Sequence, residues 1–256
     1  MGVVGAGAMS VGIPTWEGTD CSLLVGYNPA ASHPMGARRI VNAKERGADL
    51  IVCDPRVIES ARIADMYLPL KNGSNLALLN AFAYAIIDEE LADWDFIDEH
   101  TTGFDVWWEV VQDYAPEDVE EVTGLPSETI RQAARRYANA DTAVIGWGMG
   151  VTQQAQGVQT VRAIAAWAML TGHIGTQASG LAPVRGQNNV QGSCDMGMWP
   201  SLYPDYQRVS DPAVRAMIAA PRGVDGERMS LKEVLASTVP TPRLADATIH
   251  AIYTLV

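Results

Sequence analysis

Residues 183–197 carry the most unusual set of polar groups in the chain. They include one cation, Arg185, together with four side-chain amides and three glycines. The planar guanidinium of arginine matches a carboxylate through two parallel hydrogen bonds, and side-chain amides can bind the edge of a polar heterocycle. This segment therefore indicates a site for a small carboxylate beside a heterocycle such as a pterin or a purine. A flexible polar loop is the alternative interpretation.

Four further segments place glycines and polar side chains directly after predicted strands or before helices, at residues 26–33, 54–56, 71–75 and 148–153. A glycine in this position lets the backbone approach a ligand, and a helix N-terminus favours an anion. An acidic residue after the second strand often binds a ribose hydroxyl or a base edge. The segments at 26–33 and 54–56 together favour nucleotide binding, and the absence of a GxGxxG fingerprint argues against a nicotinamide site.

Each of these segments has a simpler explanation. Residues 26–33 and 148–153 can be ordinary turns between a strand and a helix. Asp54 and Arg56 can form a surface salt bridge, which contributes little to stability. Ser74 or Asn75 can be a plain helix cap, which is the simpler interpretation of that segment.

The elements that must position these groups alternate between strands and helices. Short apolar runs predict strands at residues 21–26, 49–53, 67–70 and 143–147, and Pro69 favours an edge position for the third. Apolar spacing and end signals predict helices at 34–46, 76–87, 127–137 and 158–169, and short outer helices within 93–121. This alternation predicts a doubly wound, mostly parallel α/β sheet with helices on both faces, a Rossmann-like dinucleotide-binding domain.

The pattern changes after Gly175. Residues 180–208 lack clear periodicity, which predicts a long irregular functional segment. Residues 210–243 are interpreted as a surface insertion or linker, and 247–256 as a strand at an artificial chain end. The expected organisation is a dinucleotide-binding domain at 1–187 and the start of a second α/β domain, truncated at its C-terminus, at 188–256.

Composition excludes several classes of protein. The formal net charge of −12 argues against nucleic-acid binding. The three cysteines, Cys21, Cys53 and Cys194, form no Cys-x-x-Cys pair, so no residue is assigned to a metal. The isolated histidines 100, 173 and 250 are interpreted as structural or surface residues. Sparse cysteine is consistent with a cytoplasmic location, and no apolar run is long enough to indicate membrane contact.

Six motifs in the same order and with similar spacing resemble the molybdopterin oxidoreductase family. Within it the chain is most similar to formate dehydrogenase alpha subunits of the type linked to formate hydrogenlyase. The resemblance runs from residue 5 to about residue 209. The motifs are GAGAMS at 5–10, GYNPA at 26–30, CDPR at 53–56, ARIAD at 61–65, GMGVTQ at 148–153 and RGQNNVQG at 185–192.

The resemblance implies a cofactor of two molybdopterin guanine dinucleotides that together hold one molybdenum or tungsten atom. It implies that Arg185 is catalytic, because it would orient formate and stabilise charge while formate loses its hydrogen. It places Gly186 and Gln187 near the pterin and the metal. The residues that would line one dinucleotide are Gly26, Asn28, His33, Cys53, Asp54, Arg56, Gly73, Asn75, Met149, Gly150 and Gln153.

The chain also departs from the family pattern. The cysteine or selenocysteine that ligates the metal, and the motif for a [4Fe-4S] cluster, would lie upstream of the segment matching Gly5. The expected partners are therefore formate, the missing N- and C-terminal domains of the same subunit, and an iron–sulfur electron-transfer subunit. Ala31 replaces an acidic residue that close members carry. The chain alone is expected to be inactive.

Three other interpretations are open. The chain can be part of another molybdopterin oxidoreductase such as an assimilatory nitrate reductase, although Arg185 favours formate. It can be a non-catalytic scaffold, although the polar cofactor loops argue against that role. A generic nucleotide-binding domain leaves the segment around Arg185 unexplained.

Overall fold

The structure, a computed structural model, describes residues 8–186, 189–198 and 202–220. Its five strands form one parallel sheet in the order β3-β2-β1-β4-β5. The strands are β1 (Cys21–Val25), β2 (Asp49–Cys53), β3 (Met66–Leu68), β4 (Ala143–Trp147) and β5 (Gly180–Pro183).

Helices connect the strands. In chain order they are α1 (Pro29–Ser32), α2 (Pro34–Glu45), α3 (Glu59–Ile63), α4 (Asn75–Asp88), α5 (Trp94–His100), α6 (Phe104–Val111), α7 (Glu120–Thr123), α8 (Ser127–Ala138), α9 (Met149–Thr152), α10 (Gly157–Leu170), α11 (Val190–Asp195) and α12 (Pro212–Ala219). Two 3-10 helices span Ile13–Gly18 and Pro204–Tyr206. None of the helices in the described ranges is long and apolar enough to cross a membrane.

The sheet has a hydrophobic core on each face. Alternate strand residues such as Leu23 and Ile145 pack with α4, α8 and α10, whereas Leu24 and Val144 pack on the opposite face with Trp16 and Ile40. Both faces of a parallel sheet are covered in this architecture, so its strands are apolar throughout. The predicted doubly wound α/β fold with helices on both faces is confirmed.

The order of the strands reverses at β1, which creates a topological switch point between β1 and β4. The chain runs outward from β1 to β2 and β3, and then returns to pair β4 with the other side of β1. Cys21 is in register with both Asp49 and Ala143, so the carboxyl ends of the three central strands are level. Ligands of such sheets bind beyond the carboxyl ends of the strands at the switch point.

Strand β5 was not predicted, and the expectation that residues 180–208 are irregular throughout is wrong. Four residues that include Gly180 and Pro183 carry too little β-propensity to indicate a strand. The strand is held by pairing with β4 and by Ser10 on its other side. Ser10 N donates to Leu181 O at 2.9 Å, and Leu181 N donates to Ser10 Oγ at 2.8 Å.

Other elements differ in detail from the predictions. Strand β3 lies at an edge as expected but ends at Leu68, before Pro69. Helix α4 is buried on nearly all sides because α8 and α10 both pack against it. Ser127 is the first residue of α8, and its N–H donates to Glu120 Oε1. Val158, the first residue of the helix predicted at 158–169, is exposed although it is apolar.

The chain divides into two compact units, Met1–Val184 and Arg185–Val256. Helix α12 lies within the predicted linker at 210–243. The predicted strand at 247–256 lies outside the described residues. The boundary after residue 187 and the start of a second α/β domain stay predictions.

Gly146 in β4 is covered by the indole of Trp16. Trp16 is only 1% exposed, and its Nε1 donates to Ser22 Oγ at 2.9 Å. A Cβ atom at position 146 would lie 2.3 Å from Trp16 Cη2. The sheet therefore has no room for a side chain here unless the 3-10 helix that carries Trp16 moves.

We predict that Gly146→Ala lowers the free energy of unfolding by about 1–3 kcal/mol, the usual cost of overpacking a core. Urea unfolding of the protein measures this. Gly12→Ala is the control, because its Cβ would meet no atom closer than 3.6 Å. Equal stability of the two variants would contradict the packing argument.

Candidate functional site

The loops after β1 and β4 meet through two glycines. Gly26 has a φ of +53°, and its carbonyl accepts a hydrogen bond from Gly150 N at 3.2 Å. A Cβ at Gly26 would lie 2.8 Å from Gly150 C, and a Cβ at Gly150 would lie 2.7 Å from Gly26 O. These glycines were predicted to let the backbone approach a ligand. In the structure, each of the two glycines packs against the backbone of the opposite loop.

Asn28 organises the loop after β1. It caps α1 by accepting a hydrogen bond from Ala31 N, and its Nδ2 donates to Glu59 Oε2 at 3.1 Å. His33 lies at the entrance of α2, with Nδ1 2.8 Å from Ser32 Oγ and its ring 5.7 Å from that of Tyr27. The segment is an ordered turn, and the side-chain amide of Asn28 is hydrogen-bonded within the protein.

Glu59 was missed by the sequence analysis. It is the first residue of α3, and it contacts Asn28 across 31 positions of sequence. Hydrogen bonds from its own backbone N–H and from the Asn28 amide lower the pKa of this carboxyl. The ionised carboxylate fixes the orientation of the Asn28 amide, because a carboxylate only accepts hydrogen bonds.

The segment after β2 contains a buried thiol and a buried carboxylate. Cys53 is buried, which raises the pKa of its thiol, and its carbonyl accepts from Gly26 N at 2.9 Å. Asp54 is 7% exposed, and its Oδ1 accepts from the backbone N–H of Arg56 at 2.9 Å. The carboxylate stabilises the turn in this way, and the structure shows no ion pair between Asp54 and the exposed Arg56 side chain.

The loop before α4 is tied to the loop after β4. Gly73 has a φ of +87°, and a Cβ atom at this position would meet no atom within 4 Å. Glycine is therefore favoured here by the backbone conformation of the turn and not by close contact with a neighbour. Asn75 is 6% exposed, and its Nδ2 donates to Gln154 Oε1 at 3.0 Å. Ser74 Oγ donates to Lys71 O. The interpretation of Ser74 or Asn75 as a side-chain cap of α4 is therefore wrong.

Residues 149–153 are exposed at this edge, except for Val151, which is buried. Met149 is 38% exposed, and Gly150 and Gln153 are exposed as well. Gln154 Nε2 donates to Gly150 O at 2.5 Å, and Gln153 N donates to Met149 O. Gln154 was not predicted, because nothing in the local pattern distinguishes it from the neighbouring polar residues.

Two helices begin at this edge without a side-chain cap. Neither the side chain of His33 before α2 nor the side chain of Ser74 before α4 accepts a hydrogen bond from the first turn of its helix. The first N–H groups of a helix have no partner within the helix and favour a negative charge. The edge thus combines helix N-termini suited to phosphate with the Arg56 guanidinium.

Arg185 begins the second unit of the chain, directly after Val184, and is half-buried. Gly186 is exposed. Gln187 lies outside the described residues, so of the three site residues predicted in this segment the structure describes Arg185 and Gly186. Asn189 precedes α11 with a φ of +54°.

The cysteines and histidines are dispersed. Cys21, Cys53 and Cys194 are all buried and unbonded to one another. His173 is buried, which lowers its pKa, and its Nε2 lies 2.9 Å from Ala140 O. Within the described ranges, no three side chains of the metal-binding types come together.

Comparison with known proteins places this site in context. The family model "Molybdopterin oxidoreductase" matches residues 2–254. Formate dehydrogenase H of Escherichia coli is 55% identical over 87% of this chain and 31% of its own length. The formate dehydrogenase subunit alpha of Methanocaldococcus jannaschii is 45% identical over 81% of this chain and 31% of its own length.

More distant relatives differ in activity. A nitrate reductase of Synechocystis is 35% identical over 78% of this chain and 28% of its own length. The solved structure of acetylene hydratase from Pelobacter acetylenicus is 32% identical, with a TM-score of 0.58 over 60% of this chain and 21% of that one. The chain thus spans about a third of the length of the curated relatives it matches. On this agreement of fold, motifs and sequence, the chain belongs to the molybdopterin oxidoreductase family.

Proposed function

We propose that this chain is part of a formate dehydrogenase that oxidises formate to carbon dioxide. One observation carries the proposal: the glycine-lined contact of Gly26 with Gly150 lies at the switch point of the sheet. This is where the fold class binds dinucleotides, and the sequence around it is similar to that of formate dehydrogenases.

The residues at this edge fit one molybdopterin guanine dinucleotide. The Arg56 guanidinium and the uncapped start of α2 suit the phosphates. Asp54 Oδ2 is a candidate acceptor for the donors of a guanine edge, since Oδ1 is engaged by the backbone. Exposed Met149 and Gln153 supply apolar and polar contacts beside the side-chain-free surface of Gly150.

We assign the binding of the substrate to Arg185. Its guanidinium would bind the formate carboxylate with two hydrogen bonds and hold the hydrogen of formate toward the reacting centre. The bound cofactor, with molybdenum or tungsten, supplies the redox chemistry that accepts the electrons. Gly186 and Gln187, which the resemblance places near the pterin, complete the proposed contacts of this segment.

The three cysteines of this chain do not suit a metal ligand. Cys21 and Cys53 are enclosed in strands β1 and β2, where burial raises the pKa of both thiols. Cys194 is buried in α11. A metal ligand must be a thiolate open to the metal site. We therefore assign the cysteine or selenocysteine ligand, the [4Fe-4S] cluster and the iron–sulfur electron-transfer subunit to polypeptide outside these 256 residues.

Arg185→Lys is the sharpest test of substrate binding, because lysine keeps the charge and loses the planar fork. We predict that kcat/KM for formate falls roughly 10- to 150-fold, the equivalent of one charged hydrogen bond. Metal and guanine nucleotide per polypeptide should stay at the level of the parent protein. Arg208→Lys, at an exposed position of the second unit, is the matched control. Unchanged formate kinetics would remove Arg185 from the reaction, and nitrate-dependent turnover would favour the alternative substrate.

Gly150→Ala tests the dinucleotide site. The added methyl group would overlap Gly26 O and displace one loop from the other, so we predict a several-fold loss of bound guanine nucleotide per polypeptide. Nucleotide released by acid from the purified protein measures this. Gly18→Ala is the control, since its nearest neighbour is at 3.6 Å. Full loading of Gly150→Ala would show that the cofactor lies elsewhere.

The 256-residue chain expressed alone should not reduce a dye with formate, because its cysteines are buried and cannot ligate the metal. The full-length protein is the positive control in the same assay. Formate-dependent dye reduction by the isolated chain would contradict the assignment of the metal ligand to polypeptide outside it.

A further inference from the structure

Gln154 connects two of the loops at the carboxyl edge of the sheet. Its Oε1 accepts from Asn75 Nδ2 at 3.0 Å, and its Nε2 donates to Gly150 O at 2.5 Å. We infer that Gln154 is a positioning residue, which fixes the backbone of residues 149–153 for the dinucleotide. This inference rests on the proposed function for the identity of the ligand, but the connection itself is independent of it.

The orientation of the Gln154 amide is fixed by its neighbours. Gly150 O can only accept a hydrogen bond, so the NH2 group of Gln154 must lie on that side. The oxygen of Gln154 then faces Asn75, whose amide nitrogen can only donate. Asn75 is 6% exposed, and a buried amide without a hydrogen-bond partner is destabilising. The contact with Asn75 therefore also favours this orientation of the Gln154 amide.

Gly150 is thereby held from both sides. Gly26 O accepts its N–H, and Gln154 Nε2 donates to its carbonyl. The peptide groups on either side of Gly150 cannot rotate without breaking one of these bonds. Because Met149 and Gln153 flank this point, their exposed side chains are oriented by a residue that need not contact the ligand itself.

The same geometry gives Asn75 a role within the protein. The resemblance predicts Asn75 as a direct contact of the dinucleotide, whereas its amide nitrogen is committed to Gln154. Loops after β1, β3 and β4 are joined through Gly26, Gly150, Gln154 and Asn75 in series. A displacement of the loop before α4 would therefore be transmitted to residues 149–153.

Hydrogen exchange measured by mass spectrometry on the full-length protein tests the inference. The amides of Gly150, Val151 and Gln153 are hydrogen-bonded within the protein and report opening of this segment. Gln154→Leu loses both side-chain bonds, and we predict about two- to tenfold faster exchange in residues 149–153. Exchange in α8 should not change, since a general loss of stability would accelerate it too.

Two further variants separate hydrogen bonding from packing. Gln154→Glu keeps the size and the acceptor for Asn75, but its carboxylate cannot donate to Gly150 O, so it should accelerate exchange as Gln154→Leu does. Gln156→Leu makes the same chemical change at an exposed position two residues away and should leave exchange at the parent rate. Parent-like exchange in both Gln154 variants would overturn the inference.

Guanine nucleotide per polypeptide, measured on the same preparations, connects the loop to the ligand. Faster exchange with a several-fold loss of nucleotide in the Gln154 variants supports positioning of the dinucleotide. Faster exchange with full nucleotide loading would overturn the positioning role. If the parent protein itself carries no guanine nucleotide, the proposed function fails, and the exchange rates still decide whether Gln154 fixes the loop.

Discussion

The contact of two glycine backbones at the switch point is the constraint on which the rest of the site depends. Gly26 and Gly150 approach so closely that neither position has space for a methyl group. Gly26 also donates its N–H to Cys53 O, so the same residue connects the ends of β1, β2 and β4. Any ligand at this edge therefore meets three loops whose relative placement is set by backbone hydrogen bonds.

Side-chain amides extend this backbone frame. Asn28 donates to Glu59, and Asn75 donates to Gln154, so both side-chain amides help to order the loops. The groups that are exposed at the edge are different ones, including Arg56, Met149 and Gln153. A binding site ordered before its ligand arrives loses less conformational freedom on binding, which favours affinity and precise placement.

The sequence predicted the central strands well because β1, β2 and β4 are uninterrupted apolar runs, and it placed the polar loops at their ends. It failed for β5, whose pairing with β4 and with Ser10 depends on residues distant in sequence. Glu59 and Gln154 were missed for the same reason. Their partners are 31 and 79 positions away, and no local periodicity reports such contacts. Gly26 and Gly150 were predicted as points of close backbone approach, but their contact with each other was not predicted.

The charge of the chain bears on the proposed substrate. A formal net charge of −12 repels an anion such as formate at long range, yet residues 183–197 contain one arginine and one aspartate and are locally neutral. At physiological ionic strength, charges beyond about 8 Å are largely screened, so the distant carboxylates contribute little once the anion is at its site. In the proposed substrate site, the Arg185 guanidinium would then dominate the electrostatics at the formate carboxylate. Because salt screens the long-range repulsion, the association rate of formate with the protein is not expected to fall as the salt concentration rises.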